Sequence, residues 1–284
     1  MSKDNQIIDN DKFRKNIKIY NEKLLNKQFL IIFADVESKK LKQLIKNKPK
    51  NIDKLRAIEI IFKKENFAHL AGVSKNTFTS LSINAVEFFD NVLNGKIEAK
   101  DCKFSKFRNL KAEVFENLPM IFRSISIIGS YDYHREKLEV DKLIGNTKKI
   151  PEAILGIKKL NEKIKIPLTE RYIPISLLNG ITQDFILKNT ERKILYIFEK
   201  MDYEKKYSKL IFKHKDLYID NIYNTKDFYN RLDQNLQAKI RNDMGLPALD
   251  KREVEITKKI KVDKNKWQHK IDKDKNLELE IEVE

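Results

Sequence analysis

The second half of the chain carries six short segments that are rich in β-branched and aromatic residues and are separated by polar, turn-like sequence. Segments of this kind form strands, which must pair with one another to satisfy their backbone groups. Ile194–Phe198 is apolar at every position, as is typical of a central strand covered on both faces. The six predicted strands are Ser124–Ile128, Lys142–Ile144, Ala153–Ile157, Tyr172–Leu178, Lys193–Glu199 and Tyr207–Lys213.

The first half of the chain has mainly helical periodicity. Apolar residues recur at helical spacing over residues 11–27, 83–93 and 107–122, whereas 28–34 reads as a strand and 38–47 as a short basic helix. Because helices precede strands, the pattern predicts an α+β fold. We expect a helical layer packed on a mostly antiparallel curved sheet, with N-terminal and C-terminal helical extensions.

A change of pattern at Leu55 suggests a boundary. Ile58, Ile60 and Phe62 alternate with Glu59 and Lys63, which fits a half-buried strand. After residue 223, apolar residues recur every four positions and predict one more helix, which ends near Gly245. We therefore predict an N-terminal α/β accessory region (1–54), a core domain (55–223), and a C-terminal helix with a charged tail (224–284).

The net charge of the chain is +16, and its isoelectric point is near 9.5. Residues 250–284 contain 10 Lys and Arg against 10 Asp and Glu, so the whole excess lies in residues 1–249. A sustained positive field attracts phosphate backbones. The alternative is a lysine-rich source that places Lys at any solvated position, and composition alone does not separate the two explanations.

Several classes of protein are excluded or disfavoured. One cysteine rules out an intramolecular disulfide and a cysteine zinc site, and no G-x-G-x-x-G or G-x-x-x-x-G-K-[ST] loop is present. The four histidines never fall at H-x-x-x-H spacing, so we expect neither a metal nor a cofactor. With no secretory signal pattern and no long apolar run, the expected location is the cytoplasm.

Metal-free cleavage of RNA needs only side chains that this chain contains, such as histidine, lysine, arginine, tyrosine and serine. A base takes the proton of the 2'-hydroxyl, an acid protonates the 5'-oxygen, and cations surround the phosphate. The product carries a 2',3'-cyclic phosphate, and DNA, which lacks the 2'-hydroxyl, is not a substrate.

The segment Phe62–Val73 contains the motif N-F-x-H-L-x-G, which includes His69. It resembles the signature of a phage-associated nuclease family, the fourth phage class of the group that shares the Barnase, EndoU, colicin and RelE fold. Ala71 departs from the Thr or Leu expected in the motif. Further similar pieces follow in the expected order, so that the resemblance covers roughly residues 55–215: Phe88–Phe89, Leu93–Lys96, Asp141–Gly145, Ala153–Gly156, Tyr172–Leu178, Ile194–Phe198 and Lys206–Ile211.

The resemblance implies a helical layer on a curved antiparallel sheet and a metal-independent RNase activity. His69 is then the principal acid–base residue, because an imidazole pKa near neutrality suits proton transfer. The alternative is a histidine that packs and fixes its helix on the sheet. The other candidates are Tyr207 and Lys209 in catalysis, and Lys142, Ser176, Ser208 and His214 in substrate binding.

Each of these candidates has a structural alternative. Tyr207 and Lys209 would share one face of a strand and Ser208 the other, and a solvated strand face with cross-strand packing is the favoured explanation of these residues. Ser176 is predicted to point away from the core, because Ile173, Ile175 and Leu177 alternate with it. Lys142 next to Asp141 suits a surface ion pair, and His214 and His134 lie in charged stretches.

Two functions remain open at this point. The first is a metal-independent endoribonuclease that acts as a toxin or effector of a phage or mobile element. The second is an inactive module of the same fold that binds nucleic acid or inhibits a host defence complex. The expected partners are nucleic acid, with RNA favoured, and a protein such as an antitoxin, an immunity protein or a defence complex, but no membrane.

Overall fold

The computed structural model describes residues 9–36, 55–105, 108–133, 138–146, 152–161, 169–214 and 226–243. The predicted basic helix at 38–47, His134 and the charged tail lie outside these ranges. The helices are α1 (Asn10–Lys23), α2 (Asn66–Leu70), α3 (Lys75–Leu81), α4 (Ala85–Leu93), α5 (Arg108–Val114), α6 (Thr182–Phe185), α7 (Lys226–Tyr229) and α8 (Gln234–Asp243). The strands are β1 (Lys27–Ala34), β2 (Leu55–Ile61), β3 (Ser126–Ser130), β4 (Lys142–Asn146), β5 (Glu152–Lys159), β6 (Thr169–Gly180), β7 (Arg192–Met201) and β8 (Lys209–Lys213).

Local sequence explains where the helices begin and end. The Asn84 side chain accepts hydrogen bonds from the backbone of Val86 and Glu87, and the Glu87 carboxylate accepts one from the Asn84 backbone, which forms a capping box at α4. Gly95 has φ +74° just after this helix, a conformation that glycine adopts without strain. The predicted helix at 107–122 divides into α5 and a 3₁₀ helix, Phe115–Phe122, which contains Pro119.

The described strands form a closed barrel rather than an open sheet. Seven of them pair in the order β1, β2, β6, β5, β4, β3, β7, and β1 then pairs with β7 to close the ring. The pairing of β2 with β6 is parallel, so the barrel is mixed. The prediction of a mostly antiparallel curved sheet under a helical layer is therefore wrong. The prediction fails because β1 pairs with β7 and closes the sheet. These two segments lie more than 150 residues apart, and local sequence patterns do not encode a contact at that separation.

Strand β7 pairs with three other strands. It pairs along its length with β1, at Arg192 and Lys193 with β3, and at Tyr196–Glu199 with β8. The sequence prediction of a central strand at Ile194–Phe198 is confirmed, because neighbours lie on both edges and residues 194–198 are buried. Strand β8 thus extends the sheet beyond the seven strands of the barrel.

Two hydrophobic clusters hold the barrel in place. The first joins one face of all seven barrel strands to α1, α2, α4, α5 and the 3₁₀ helix, and its centre includes Phe29 stacked on Phe122 with ring centroids 4.1 Å apart. The second lies on the opposite face of β3, β4 and β5, where Ile127, Leu143 and Ile154 pack against Ile186 after α6. Several strands are consequently covered on both faces.

The chain divides into two compact units, Met1–Leu236 and Gln237–Glu284. Strand β1, which falls in the predicted accessory region, is part of the barrel, whereas the proposed boundaries at 54/55 and 223/224 stay predictions. No helix within the described ranges is long and apolar enough to cross a membrane.

A test of the closing strand uses two isoleucines. Ile31 in β1 is fully buried opposite Ile58 and Ile197, whereas Ile125 is 46% exposed. Truncation of a buried isoleucine removes apolar contacts and leaves a cavity, so we expect Ile31→Ala to lower the free energy of unfolding by about 2–5 kcal/mol in urea denaturation. Ile125→Ala is the matched control with a change below about 0.5 kcal/mol. Equal effects of the two variants would contradict a buried closing strand.

Candidate functional site

His69 lies on α2, directly after the end of β2. Phe67, Ala68 and Leu70 turn inward and are buried, which leaves His69 on the exposed side of the helix. The start of the helix is fixed, because the Asn66 side chain accepts a hydrogen bond from the Lys63 backbone at 2.8 Å. The imidazole is thus held on a short, anchored element and faces solvent.

Two lysines surround His69. The Lys111 ammonium, from α5, donates a hydrogen bond to the His69 backbone oxygen at 3.0 Å. The pKa of His69 is lowered because neighbouring groups partly shield the ring from water and because the cations of Lys75 and Lys111 lie nearby. Burial lowers the pKa of Lys111 to about 8. The imidazole is therefore mainly neutral at neutral pH, and the ammonium held on its backbone oxygen has a pKa of about 8.

Tyr207 lies in a different place, within a buried polar cluster centred on Glu59. The Glu59 carboxylate, 6% exposed, accepts hydrogen bonds from Arg171 Nε at 2.8 Å, from the Tyr207 hydroxyl at 3.0 Å and from Arg231 Nη1 at 3.3 Å. The ammonium of Lys200 lies 5.2 Å from the centroid of the Tyr207 ring. We call these five residues the Glu59 cluster.

The Glu59 cluster follows from the barrel register. Glu59 in β2 lies beside Arg171 in the parallel strand β6, so both side chains project from the same face. Tyr207 is joined to the segment after α7, because its backbone N–H donates to Arg231 at 2.9 Å and its carbonyl accepts from Asp233 at 2.8 Å. A half-buried strand was predicted here, with Glu59 on its polar face, but this face is covered as well.

The Tyr207 hydroxyl is closed to substrate in this arrangement. Tyr207 is 2% exposed. Burial and the neighbouring Glu59 carboxylate raise the pKa of Tyr207 well above its ordinary value, so the phenol stays protonated and donates to Glu59. The prediction that Tyr207 lies on a regular strand is also incorrect, since β8 begins at Lys209 and Tyr207 forms an isolated bridge with Leu232.

The two candidates, His69 and Tyr207, lie on opposite faces of β2. Ile58 and Ile60 belong to the first hydrophobic cluster together with Phe67 of α2. Since side chains alternate along a strand, Glu59 projects to the other face, where Tyr207 contacts it. The structure therefore does not bring the two predicted catalytic side chains together.

The remaining predicted residues fall into exposed and buried groups. Lys209 is exposed and lies 3.7 Å from Glu199, and the hydroxyl of exposed Ser208 donates to Glu204 at 3.2 Å. Lys142 opens β4 and is half-buried, and its charge contributes to the lowered pKa of Glu170.

Ser176 and His214 are buried, at 7% and 5% exposure. Ser176 was predicted to point away from the core, and this is wrong. It pairs with Gly156 and lies against it. The prediction reversed the two faces, because Tyr172, Pro174 and Ser176 form the buried alternating set, whereas Ile173 and Ile175 are only half-buried. His214 follows β8, and its backbone N–H donates to Leu195 at 2.8 Å.

Sequence reasoning missed two features of these sites. Lys111 occupies the polar side of a helix and looks there like any solvated lysine, so no local signal marks it. Glu59 did carry a signal, since it is the one charged residue within the run Ala57–Phe62. Buried carboxylates need charged partners, and those partners come from distant segments. Within the described ranges, no group of three His, Cys, Asp or Glu side chains lies in an arrangement that could hold a metal ion.

A family model described as phage-Barnase-EndoU-ColicinE5/D-RelE like nuclease4 matches residues 12–216. The chain belongs to this nuclease family. The match confirms the resemblance seen at the N-F-x-H-L-x-G motif. The comparison with curated proteins and the comparison with solved structures each returned no match.

The family match extends from the third residue of α1 over all eight strands of this phage-type nuclease, so it contains β1 as well as His69, Glu59 and Tyr207. Membership of a nuclease family implies that nucleic acid is a binding partner. Arg231, which completes the Glu59 cluster, lies beyond the matched residues.

The contribution of the Glu59 cluster to the stability of the fold can be measured with single substitutions. Glu59→Gln leaves two guanidinium groups without their carboxylate, and we expect a loss of roughly 3 kcal/mol in the free energy of unfolding. Tyr207→Phe removes one hydrogen bond to a charged group and should cost about 1.5–3 kcal/mol. The control Glu116→Gln breaks an exposed ion pair with Lys15 and should cost less than about 1 kcal/mol. If Glu59→Gln behaved like the control in urea denaturation, the cluster would not stabilise the fold.

Proposed function

We propose that this protein is a metal-independent endoribonuclease, acting as a toxin or effector of a phage or mobile element, with His69 as the principal acid–base residue. The observation that carries the proposal is the accessible His69 imidazole, whose pKa is lowered by partial shielding from water and by the nearby cations of Lys75 and Lys111. A lowered pKa keeps the ring neutral at neutral pH, which is the form that accepts a proton. The family match to a nuclease supports the proposal at the level of the reaction class.

The reaction takes the course expected for cleavage by the 2'-hydroxyl. The His69 imidazole accepts the proton of the 2'-hydroxyl as its oxygen attacks the phosphorus, and the bond from phosphorus to the 5'-oxygen breaks. The ammonium groups of Lys111 and Lys75 balance the charge that develops on the phosphate oxygens. Lys111, with a pKa of about 8, also serves as the acid that protonates the leaving 5'-oxygen. The products are a 2',3'-cyclic phosphate and a 5'-hydroxyl.

Solvent exposure favours His69 over the Glu59 cluster as the site of the reaction. The Glu59 cluster contains a carboxylate, two guanidinium groups and a phenol, all of which suit phosphate chemistry. Glu59 and Tyr207 are nevertheless closed to solvent, so a phosphodiester does not reach them without movement of the segment that carries Tyr207 and Arg231. In this proposal the cluster stabilises the barrel beneath the site, and exposed Lys209 and Lys142 contribute only remote phosphate contacts.

The direct test compares wild type, His69→Ala and Lys96→Ala on total RNA and on DNA in excess EDTA, with analysis of the fragment ends. Lys96 is an exposed lysine outside the helices that carry His69, Lys75 and Lys111, and it serves as the control. We expect discrete RNA fragments with 2',3'-cyclic phosphate ends from wild type and the control, a loss of at least about 100-fold for His69→Ala, and intact DNA. RNA that is bound but left uncut by all three proteins would replace the proposal with the inactive binding module.

The pH dependence gives a second test. His69 must be neutral and Lys111 protonated, so the rate should rise through the lowered pKa of His69, on the acid side, and fall above about pH 8. Lys111→Arg keeps the positive charge to much higher pH, and we expect it to slow the reaction and to remove the alkaline fall. Lys75→Gln removes a cation near the imidazole and should move the acid limb to higher pH. A profile that is unchanged in both variants would contradict the assigned roles.

A further inference from the structure

Gln28, near the start of β1, has a buried polar atom without a partner. Its side-chain oxygen Oε1 is closed to solvent, and no hydrogen-bond donor of the described residues reaches it. A buried carbonyl oxygen that accepts no hydrogen bond is costly, and such atoms are rare in folded proteins. The oxygen therefore marks a place where a bound molecule can supply the missing donor.

Strand register places Gln28 beside the Glu59 cluster. Gln28 lies directly opposite Lys200 of β7, so the two side chains project from the same face of the sheet. Across the other edge of β1, Leu30 pairs with Glu59. Since Gln28 precedes Leu30 by two residues, it is a diagonal neighbour of Glu59 on that same face. The unpartnered oxygen and the cations of the cluster thus lie together.

Lys200 and Arg231 have more hydrogen-bond donors than the described residues accept. The half-buried Lys200 ammonium donates to the Glu204 backbone oxygen at 2.9 Å, and no carboxylate of the described residues forms an ion pair with it. Burial is the main cause that lowers the pKa of Lys200, as expected for a cation without a paired anion. The Arg231 guanidinium donates to Glu59 at 3.3 Å, a carboxylate that it shares with Arg171. Lys200 and Arg231 are therefore placed to hold an anion.

We propose that Gln28, Lys200 and Arg231 form a binding site for a ribonucleotide. The phosphate accepts hydrogen bonds from Lys200 and Arg231, and a ribose hydroxyl donates to Gln28 Oε1. An ionised phosphate has no proton to donate, so the hydroxyl is the group that the Gln28 oxygen requires. Lys200 has a flexible four-carbon stem, and its ammonium moves from Glu204 to the phosphate, which opens Gln28 to the ligand.

This site is independent of the proposed catalysis at His69. The helix of His69 packs on the face of β2 that carries Ile58, whereas Gln28 and Lys200 project from the face that carries Glu59. Binding of a nucleotide here needs no cleavage, so the two proposals can fail separately.

The test is calorimetric titration of the full-length protein with adenosine monophosphate, its dideoxy analogue, which lacks both ribose hydroxyls, and adenosine, which lacks the phosphate. We expect the complete nucleotide to bind best. Loss of the hydroxyls removes the donor to Gln28 and should weaken binding about 2- to 10-fold, whereas loss of the phosphate should weaken it roughly 10- to 150-fold.

Two substitutions and a matched control locate the site. Lys200→Met removes the ammonium, keeps an unbranched side chain, and should weaken binding of adenosine monophosphate roughly 10- to 150-fold. Gln28→Leu should bind the complete and the dideoxy nucleotide equally. Its free energy of unfolding should be unchanged or higher, because the replaced oxygen has no partner to lose. Lys18→Met, at an exposed lysine of α1, should bind as wild type does.

Four results would overturn the inference: no binding by wild type at millimolar nucleotide, equal binding of adenosine and its monophosphate, full binding by Lys200→Met, or retained preference for the hydroxyls in Gln28→Leu. His69→Ala should bind normally, and a loss of binding there would place the nucleotide at His69 instead. Nucleotide binding at Lys200 without RNA cleavage leaves this site standing while the proposed catalysis fails. RNA cleavage without nucleotide binding has the reverse meaning.

Discussion

The pairing of β1 with both β2 and β7 is the constraint on which the rest of the structure depends. Without it, β2 and β7 would be the edges of an open sheet, with exposed backbone groups. With it, the sheet closes, and Leu30, Ile31 and Ile32 of β1 are fully buried. Closure also fixes which residues of β2 face the helices, because the register places Ile31 opposite Ile58 and Leu30 opposite Glu59.

The same closure accounts for the buried charge. Glu59 is held between β1 and β6, and the segments that carry Tyr207 and Arg231 reach its carboxylate from the face opposite the helices. A buried carboxylate is costly unless several donors satisfy it, and here three side chains do so. The cluster therefore connects four separate stretches of the chain at one point, and the face of β2 that local sequence marks as polar becomes part of the interior.

The site at His69 is exposed, in contrast to the buried Glu59 cluster. Its residues come from short helices, and its imidazole is exposed, but the neighbouring lysines give it an electrostatic environment that a solitary surface histidine lacks. Lys111 is half-buried, and the desolvation of its ammonium lowers its pKa to about 8. The barrel thus supports one buried cluster and one accessible basic site on opposite faces of the same strand.

The sequence by itself determined the local elements: the six strands of the second half, the central position of Ile194–Phe198, the helices that carry Phe13 and Phe88, and the family, through the motif around His69. These follow from periodicity, capping and short motifs, which depend on neighbouring residues. Only the tertiary structure decided that the sheet closes, that Glu59 and Ser176 are buried, that Tyr207 is separated from His69, and that Lys111 is the neighbour of His69. Each of these depends on contacts between distant segments, and a residue's own sequence neighbours carry no information about which distant segment will cover it.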